Sequence, residues 1–354
     1  MKVNFLSDSN EDSLTRFLLK DEHTLFSYSL KLRNLIKTLS NSEDIYLLAE
    51  EDDEILGVLP TFIKINNKYG NILNSLPFYG NHGGVLARRD LPPEKQMQVK
   101  KSLIDRFYQL EKEYDCISST LITSPFENDL SFYEKNFLYT HRDNRICQIM
   151  ELPPKEAHIE KALMKQFKGS RRTDIRRAIK SGVIVKEDAS TKTKQFLLDT
   201  HTISIKNLKG IPKPAIFFES ISKYMTWGTD YKIYSAWKNQ VPIAALLLFY
   251  FNKTVEYFTP IFQVDFGVFK PLSLIIYKSM EDAIKSGYKY YNFGGTWKSQ
   301  GGVHFFKTRF GAKDFEYNYL TKLNRDINYF KELNEEKLLQ EYKYFYAIPF
   351  SELK

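Results

Sequence analysis

A strand–turn–strand pattern occurs twice in this chain of 354 residues, at an offset of about 187 residues that places Ala49 over Ala236. The first copy joins the apolar runs IYLLAEE and ILGVLPTFIKI through an acidic turn at 52–54. The second copy is DYKIYSAWKNQVPIAALLLFYF, with a polar turn at the same place. Apolar runs that flank a short polar turn predict β-hairpins. We therefore expect two related units.

Each predicted hairpin is followed by a further strand, a helix that opens with proline, and another strand. Pro92-Pro93 precede EKQMQVKKSLIDRFYQLEKEY and the strand CISSTLIT, whereas PLSLIIYKSMEDAIKSG precedes a strand over 288–293. Proline suits the first turn of a helix, and Gly287 suits the end of one. The repetition predicts an α/β fold with mixed sheets, built from two copies of one unit.

The Pro153-Pro154 pair marks the boundary between the two copies. It predicts an N-terminal domain over 1–152 and a C-terminal domain over 153–354, which carries an Arg-rich helix and a charged helical tail. Hydrophobic residues make up 43% of the chain and aromatic residues 15%, which is enough for sizeable cores and excludes a disordered protein.

The net charge and the cysteine content limit the kinds of partner and of binding site that we expect. A net charge of +8 indicates an anionic partner such as a phosphorylated metabolite, RNA or a membrane surface. The two cysteines form no CxxC motif or Cys/His cluster, so we expect neither a disulfide framework nor a metal site. Because no signal peptide or long apolar run is found, we expect a cytoplasmic protein without a transmembrane segment.

The stretch at 287–313, GYKYYNFGGTWKSQGGVHFFKTRFGAK, is the first candidate site. A strand runs into Gly294-Gly295, a polar loop is expected to hold a second glycine pair, and Lys307 and Arg309 stand between phenylalanines. Paired glycines let the backbone approach a ligand closely. Basic side chains can attract an anionic substrate, and the neighbouring aromatic rings can pack against it. The alternative is a tight connection in an α/β sheet with surface charges.

The basic segment at 161–180 is the second candidate, because many cations there face a single acid, Asp174. Helical spacing predicts one stripe along this helix. Its members are Lys165, Lys168, Arg172 and Arg176. Arginine matches phosphate oxygens in a bidentate geometry, so the stripe is interpreted as a clamp for the diphosphate of a nucleotide- or lipid-linked sugar, or for RNA. The alternative is a solvated basic face.

The loop PFYGNHGG at 77–84 is the third candidate, because Tyr79, Asn81 and His82 lie between glycines and would suit a substrate cleft. The ordinary pKa of histidine is near neutrality, so His82 is also a candidate base. The alternative is a histidine with only a hydrogen-bonding or exposed role.

Three further residues complete the candidate set. His304 lies three residues before Lys307 and is expected to line the same pocket. Tyr257, on the strand before the 264–270 loop, is a candidate for substrate binding. Asp265 is a candidate to accept the proton of an attacking amine, and the alternative is that it caps or solvates a turn.

The repeated unit resembles the acyltransferase fold of the GCN5-related N-acetyltransferases (GNAT). Two segments, YNFGGTWKSQGGVHFFKTRFGAK and KGSRRTDIRRAIKSGVIVKE, make the tandem arrangement similar to the FemAB family. That family comprises tRNA-dependent aminoacyltransferases that build peptidoglycan cross-bridges, and uncharacterised acyltransferase relatives. The resemblance implies two tandem GNAT-like domains and a transferase that forms an amide on an amino group of a cell-envelope precursor, either peptidoglycan or an amino sugar.

The resemblance also implies roles for particular residues. Lys307 would lie by the reaction centre and offset the negative charge that develops there. Arg172 or Arg176 would contact phosphates, and the 77–84 loop would bind the acceptor. Amide formation from an activated ester or thioester needs proximity and a group that stabilises an oxyanion, but no enzyme nucleophile. The absence of GxSxG and Cys/His arrangements agrees with such chemistry.

The chain departs from single-domain acetyltransferases where those bind the coenzyme A pyrophosphate with a glycine-rich turn. DFGVFKPLSL stands there, with one glycine and a proline. We expect no tightly bound cofactor, and the acyl donor stays open between aminoacyl-tRNA and acyl-coenzyme A. The expected partners are an anionic nucleotide- or lipid-linked sugar precursor, tRNA, and the inner membrane surface as a site of peripheral association.

Two other functions remain open from the sequence. One is a coenzyme A- or carrier-dependent N-acyltransferase in surface polysaccharide biosynthesis. The other is not an enzyme but a degenerate acyltransferase fold that binds RNA or an anionic membrane surface through its basic helix. The two glycine-rich loops and Lys307 favour an enzyme.

Overall fold

A computed structural model describes residues 1–77, 82–127, 129–155, 158–297 and 300–353. Strands and helices alternate along the chain in a mixed α/β arrangement. The strands are β1 Lys2–Phe5, β2 Glu43–Asp44, β3 Leu47–Glu51, β4 Glu54–Leu59, β5 Phe62–Lys64, β6 Asn71–Asn74, β7 Leu86–Ala87, β8 Cys116–Ile122, β9 His141–Glu151, β10 Ile184–Glu187, β11 Tyr231–Lys238, β12 Val241–Phe251, β13 Thr254–Phe262, β14 Tyr290–Thr296 and β15 Lys313–Leu323.

The helices carry the long connections between these strands. They are α1 Glu11–Lys20, α2 Leu30–Ser40, α3 Pro93–Glu113, α4 Leu130–Asn136, α5 Ile159–Gln166, α6 Gly169–Lys180, α7 Thr191–Asn207, α8 Ala215–Tyr224, α9 Pro271–Lys285, α10 Gly301–Thr308 and α11 Ile327–Glu341. A 3-10 helix, Val264–Phe269, precedes α9. Of the helices in the described ranges, none has both the length and the apolar character that a membrane span requires.

The chain forms two compact units. Unit 1 comprises residues 1–145 and 316–354, and unit 2 comprises residues 146–315. In unit 1 the strands lie in the orders β1-β3-β4-β7 and β15-β8-β6-β5-β2, and in unit 2 the order is β10-β11-β12-β13-β14-β9. Each unit has its own apolar core, in which α3 packs in unit 1 and α6 and α9 pack in unit 2.

The two predicted hairpins are present, and they share a detail that the sequence did not show. β3 and β4 are joined through Asp52-Asp53, and β11 and β12 through Asn239-Gln240, all four with positive φ. The register of each hairpin shifts at the same aligned position, between Ala49 and Glu50 in one and between Ala236 and Trp237 in the other. A bulge adds one residue to one strand only, so its recurrence confirms the structural repeat.

The final strand of each unit comes from the other half of the sequence. Residues 146–151 of β9 pair with β14 in unit 2, although β9 follows β8 in the chain. Residues 319–323 of β15 pair with β8 in unit 1, although β15 follows β14. The repeats have therefore exchanged their last strands.

This exchange changes the predicted domain division. The chain divides at 145/146 instead of 152/153, and the tail that was assigned to the second domain lies in unit 1. The physical reason is that α11 buries Phe330 and Leu338 in an apolar cluster with Ile72 and Ile117 of unit 1.

The predicted helix over 161–180 is two helices. α5 ends at Gln166, Phe167 and Lys168 are extended, and α6 begins at Gly169. The continuous cationic stripe of the prediction is therefore wrong, because the break changes the direction of the residues on either side. The break is stabilised by Arg172, whose Nη1 donates to the carbonyl oxygens of Met164 and Phe167 at 3.2 and 2.5 Å.

Candidate functional site

An opening between two parallel strands of unit 2 is the centre of the candidate site. β13 and β14 pair from Thr254 with Tyr290 as far as Glu256 with Asn292. Beyond that point β13 continues to Phe262 along β12, and β14 continues to Thr296 along β9. Strands that part in this way interrupt the ladder between them, and the gap gives a ligand access to the sheet edge.

A bulge on β13 lies at the start of this opening. Leu247 is opposite Thr259 and Leu248 is opposite Tyr257, which leaves Phe258 as the additional residue. The Tyr257 ring packs 5.2 Å from the Phe293 ring of β14, measured between centroids. Burial raises the pKa of Tyr257 well above its ordinary value, so its phenol stays neutral. Tyr257, a predicted substrate-binding residue, therefore lines the opening.

Gly294 and Gly295 form the β14 side of the opening. Gly294 has a φ of +73°, which disfavours other residues, and a Cβ atom there would meet no atom of the described residues within 4 Å. Its N–H donates to Asn292 Oδ1 at 2.8 Å, and the β14–β9 register is irregular between Asn292 and Gly295. Gly294 therefore permits this backbone conformation and leaves room at its Cβ position, as expected where a ligand approaches the backbone closely.

The second glycine pair has a different role from the predicted one. Gly301 and Gly302 form the first turn of α10, not a loop. Phe306 and Phe310 are one helical turn apart and pack together against the core of unit 2. This i, i+4 contact supports the helix that follows the glycine pair.

Lys307 is buried on α10, with 4% of its surface exposed, and it holds the end of β14. Its Nζ donates to the carbonyl oxygens of Gly294 and Gly295 at 3.1 and 3.0 Å, and to Thr296 Oγ1 at 2.7 Å. An ammonium group has three donors, so all of them are engaged. Burial lowers the pKa of Lys307 to about 8, which still leaves the ammonium form predominant at neutral pH.

Further hydrogen bonds fix this arrangement. Thr296 Oγ1 donates to Gln148 Oε1 at 3.0 Å, and Gln148 Nε2 donates to the His304 carbonyl oxygen at 3.2 Å. Because the Thr296 proton is committed to Gln148, its oxygen can only accept from Lys307. The network joins β14, β9 and α10, and it keeps a positive charge directly behind the opening.

Arg171, which the sequence reasoning passed over, lies beside the same elements. Its guanidinium carbon is 4.5 Å from the Phe306 ring centroid and 4.9 Å from that of Phe310. Its Nη1 donates to Asp174 Oδ2 and to Ser273 Oγ, both at 2.9 Å. Its Nε is buried and has no hydrogen-bond partner among the described residues. Burial lowers the pKa of Arg171, and the charge of Arg309 lowers it further, against the effect of Asp174.

The other predicted cations are placed differently. Arg309, at the end of α10, lies over the Phe305 ring at 4.2 Å and is half-buried. Lys168 is exposed, and its backbone N–H donates to the Arg309 carbonyl oxygen at 3.0 Å, which joins the start of α6 to the end of α10. Arg172 is engaged by backbone carbonyls and Arg176 is exposed. Among the described contacts of α6, it is Arg171 that lies over the Phe306 and Phe310 rings.

The predicted acid–base residues are not at the opening in the described contacts. His304 Nε2 lies 2.8 Å from Asp314 Oδ2, and its carbonyl rather than its ring joins the Lys307 network. Asp265 is exposed in the first turn of the 3-10 helix. The role of either side chain in proton transfer stays a prediction.

The third candidate, the 77–84 loop, is described only in part. Tyr79 and Asn81 lie outside the described residues. His82, in unit 1, is buried with its ring 4.4 Å from the Tyr317 ring. Burial and the charge of Arg145 lower the pKa of His82 to about 3. The imidazole is therefore neutral at physiological pH and a weak proton acceptor, which argues against its predicted role as a base.

Sequence reasoning missed Arg171, Gln148 and Thr296. Arg171 differs from Arg172 by one position, which is about 100° on a helix. Because the break at Phe167 was not predicted, the sequence did not show which of the two arginines faces the core. Asp174, three residues after Arg171, was an available signal because it marks the residue with an ion-pair partner on the same face.

Comparison with known proteins agrees with this fold. Residues 228–318 match the profile of the FemAB family, a segment that contains β13, β14 and α10. The FemX structure aligns with a TM-score of 0.71 at 13% identity, over 90% of this chain and 97% of FemX. A protein of unknown function from Bacteroides thetaiotaomicron aligns with a TM-score of 0.60 at 11% identity, over 91% and 100%.

A tandem GNAT protein from the clavulanic acid biosynthesis pathway aligns with a TM-score of 0.55 at 7% identity, over 92% of this chain and 99% of that one. A search of curated proteins found no match. The predicted fold is confirmed: the chain has a FemAB-like tandem GNAT fold.

Proposed function

We propose that this protein is a FemAB-like acyl or aminoacyl transferase that forms an amide on an amino group of a cell-envelope precursor. The observation that carries the proposal is the opening at Gly294-Gly295, held in shape by the buried ammonium of Lys307. The match of residues 228–318 to the FemAB family falls on the same elements. The reaction would take place between β13 and β14.

Lys307 would act through its charge and its hold on the backbone. When an amine attacks the activated acyl carbon, negative charge develops on the carbonyl oxygen. A preorganised cation in a site of low dielectric stabilises such charge without reorganisation. Because its three donors are engaged with Gly294, Gly295 and Thr296, Lys307 is a positioning residue in this resting structure. The gap between β13 and β14 would hold the acyl group.

The turn before α9 favours a donor other than coenzyme A. The Lys270 N–H donates to the Gly267 carbonyl oxygen at 3.1 Å, and the Ser273 N–H donates to the Lys270 carbonyl oxygen at 3.2 Å. Amide groups used inside the turn are not available to a pyrophosphate at the helix N-terminus. We therefore place an aminoacyl ester, carried by tRNA, ahead of an acyl thioester.

Arg309 and Arg171 are the cations that we assign to the phosphate groups of a nucleotide- or lipid-linked sugar. Arg309 is half-buried at the end of α10, close enough to Arg171 for its charge to act on it. This assignment replaces the earlier one to Arg172 and Arg176. Arginine forks suit phosphate oxygens, and the buried Nε of Arg171 has no partner among the residues that the structure describes.

The test is product formation. The protein is incubated with aminoacyl-tRNA or with acyl-coenzyme A, together with nucleotide-linked or lipid-linked amino-sugar precursors, and the amide product is detected by mass spectrometry. We expect a product with aminoacyl-tRNA, and a loss of it in Arg309→Ala. The matched control is Lys285→Ala, which removes an exposed cation elsewhere in unit 2. No product from any donor, with tight RNA binding, would overturn the proposal.

A further inference from the structure

One end of unit 2 carries a surface that is both basic and aliphatic. We define this basic–aliphatic surface as the exposed and half-buried side chains of residues 176–184, 237–241 and 262–270. Lys238 joins the three segments, because its Nζ donates to the Ser181 carbonyl oxygen at 2.5 Å and lies 4.5 Å from the Phe269 ring centroid. Ile184 also pairs with Trp237 across β10 and β11.

The aliphatic side chains of this surface are unusually exposed. Val264 is 82% exposed and Val268 is 48% exposed, on the 3-10 helix between β13 and α9. The Phe262 ring packs on Gly267, where an added Cβ would come within 3.2 Å of it, so it lies among these valines. The remaining exposed apolar members are Ile179, Ile184 and Val241. Contiguous exposed apolar groups mark an interaction site.

The charge of the same surface is one-sided. Within the three segments, which the structure describes in full, there are five cationic side chains and one acid, Asp265. The cations are Arg176, Arg177, Lys180, Lys238 and Lys270. Such an excess attracts an anionic partner.

We propose that the basic–aliphatic surface docks the protein onto an anionic lipid bilayer. Valine and isoleucine side chains enter the boundary between headgroups and acyl chains, and the surrounding cations pair with anionic headgroups. Single-stranded RNA would instead need rings on which bases stack. In these segments the exposed large ring is that of Phe262, whereas Lys186 and Lys192 lie over the Trp237 ring at 5.2 and 5.0 Å.

The inference adds a location to the proposed transferase but uses no step of its chemistry. Binding to vesicles needs neither an acyl donor nor an acceptor. A failure of membrane docking and a failure of acyl transfer are therefore separate results.

The test is flotation of the full chain with vesicles of phosphatidylglycerol and phosphatidylcholine, compared with vesicles of phosphatidylcholine alone. We expect binding only to the anionic vesicles, weakened by salt. The pair Val264→Asp and Val268→Asp removes the aliphatic part, and Arg177→Glu with Lys180→Glu reverses the charge. Each pair is expected to weaken partitioning more than about tenfold.

Matched controls change the same chemistry elsewhere in unit 2. Leu208→Asp alters a side chain that is 78% exposed, and Lys285→Glu with Lys313→Glu reverses two exposed lysines. Lys285 is at the opposite end of α9 from Lys270, about 22 Å away along the helix. These controls should keep vesicle binding.

Three results would overturn the proposal. The first is no binding to anionic vesicles, and the second is equal loss in the control variants. The third is RNA binding that needs Arg177 and Lys180 but not Val264 and Val268, which would assign the surface to RNA.

Discussion

The parallel strand pairs of the two repeats end in different ways. In unit 1, the β6–β8 pair continues past its last register position, because the Ser75 N–H donates to the Thr120 carbonyl oxygen at 2.8 Å and the Ile122 N–H donates to Ser75 Oγ at 2.9 Å. The Gly83 N–H then donates to the Ile122 carbonyl oxygen at 3.1 Å. In unit 2, the β13–β14 register stops at Asn292 and the strands part.

The glycine pairs beside these strand ends also differ, because the pair in unit 1 is tightly packed and Gly294 in unit 2 is not. A Cβ atom at Gly83 would lie 2.5 Å from Leu76 Cβ, and one at Gly84 would lie 2.8 Å from Tyr133 Oη, so both are required by packing. Within the part of the chain that the structure describes, a Cβ atom at Gly294 would meet nothing within 4 Å. The two glycine pairs thus look alike in the sequence but have different structural roles. A glycine pair indicates a ligand site only where the backbone adopts a special shape beside free space.

The comparison shows how little separates a closed strand end from an open one. Both units use a hairpin with the same bulge, a helix that starts with proline, and a parallel strand pair. A serine and a glycine close the end in unit 1, whereas a left-handed glycine and a buried lysine shape it in unit 2. This difference supports the proposal that the reaction takes place in the second copy.

The largest expected effect is that of Lys307→Met. It removes the charge behind the opening and the three donors that hold β14, so turnover should fall about 100-fold to 1000-fold. Steady-state kinetics on the product assay measures this, and urea unfolding checks that the variant folds. The control is Lys285→Met, which removes an exposed lysine of the same unit. Unchanged turnover in Lys307→Met would return this residue to a purely structural role.

Ser75→Ala tests the closed end in unit 1. The Ile122 N–H would lose its acceptor inside the fold, which should lower the free energy of unfolding by about 1–3 kcal/mol. Urea denaturation measures the loss. Turnover of the folded fraction should stay unchanged, and a fall in it would show that the closed end also serves the reaction.

Gly294→Ala tests the open end in unit 2, and Gly287→Ala is its matched control. Both glycines have positive φ and free space at the Cβ position, so each substitution should cost about 1 kcal/mol of stability. Only Gly294 lies at the opening. We expect about a tenfold loss of turnover in Gly294→Ala alone, at about 1.4 kcal/mol per tenfold change. Equal losses in both variants would make strain, rather than the site, the cause.

The pH dependence of Lys307 tests the role of its charge directly. Its pKa of about 8 lies below that of an unfolded lysine, about 10.4. Between these values the unfolded state binds more protons, so this group makes stability rise with pH. The loss of stability caused by burying the charged ammonium is fully present below about pH 8. It diminishes as the pH rises towards about 10. The difference in unfolding free energy between the wild type and Lys307→Met measures it.

Turnover should change in the opposite direction over the same range. As Lys307 loses its proton above about pH 8, the charge behind the opening disappears and the rate should fall. A pH–rate profile of the wild type tests this. A rate that stays level through this range would contradict a role for the ammonium form.

Local features of the fold were predictable from sequence, because their signals are local. The hairpin turns at Asp52 and Asn239 and the helix starts at Pro93 and Pro271 are set by neighbouring residues. The exchange of β9 and β15 was not predictable, because the sequence of an apolar strand does not show which strand far away in the chain it will pair with. Pairing of that kind is decided by the whole fold.

The site was predictable in part for the same reason. The motif around Lys307 and Gly294 combines glycine, aromatic and basic residues in one short stretch. The position of Arg171 was not predictable, because the break between α5 and α6 lies among residues that favour a helix. The hydrogen bonds of Gln148 join residues far apart in the chain, and a single sequence does not show such pairs.

The exchanged strands have a consequence for synthesis of the chain. The residues that complete unit 1 are 316–354, so a ribosome must finish both repeats before the β8 edge can be covered. Until then the nascent first repeat exposes an unpaired strand edge, the kind of template on which chains aggregate. The order of translation and the order of folding are thus opposed, and the first repeat to be made cannot be the first to be finished.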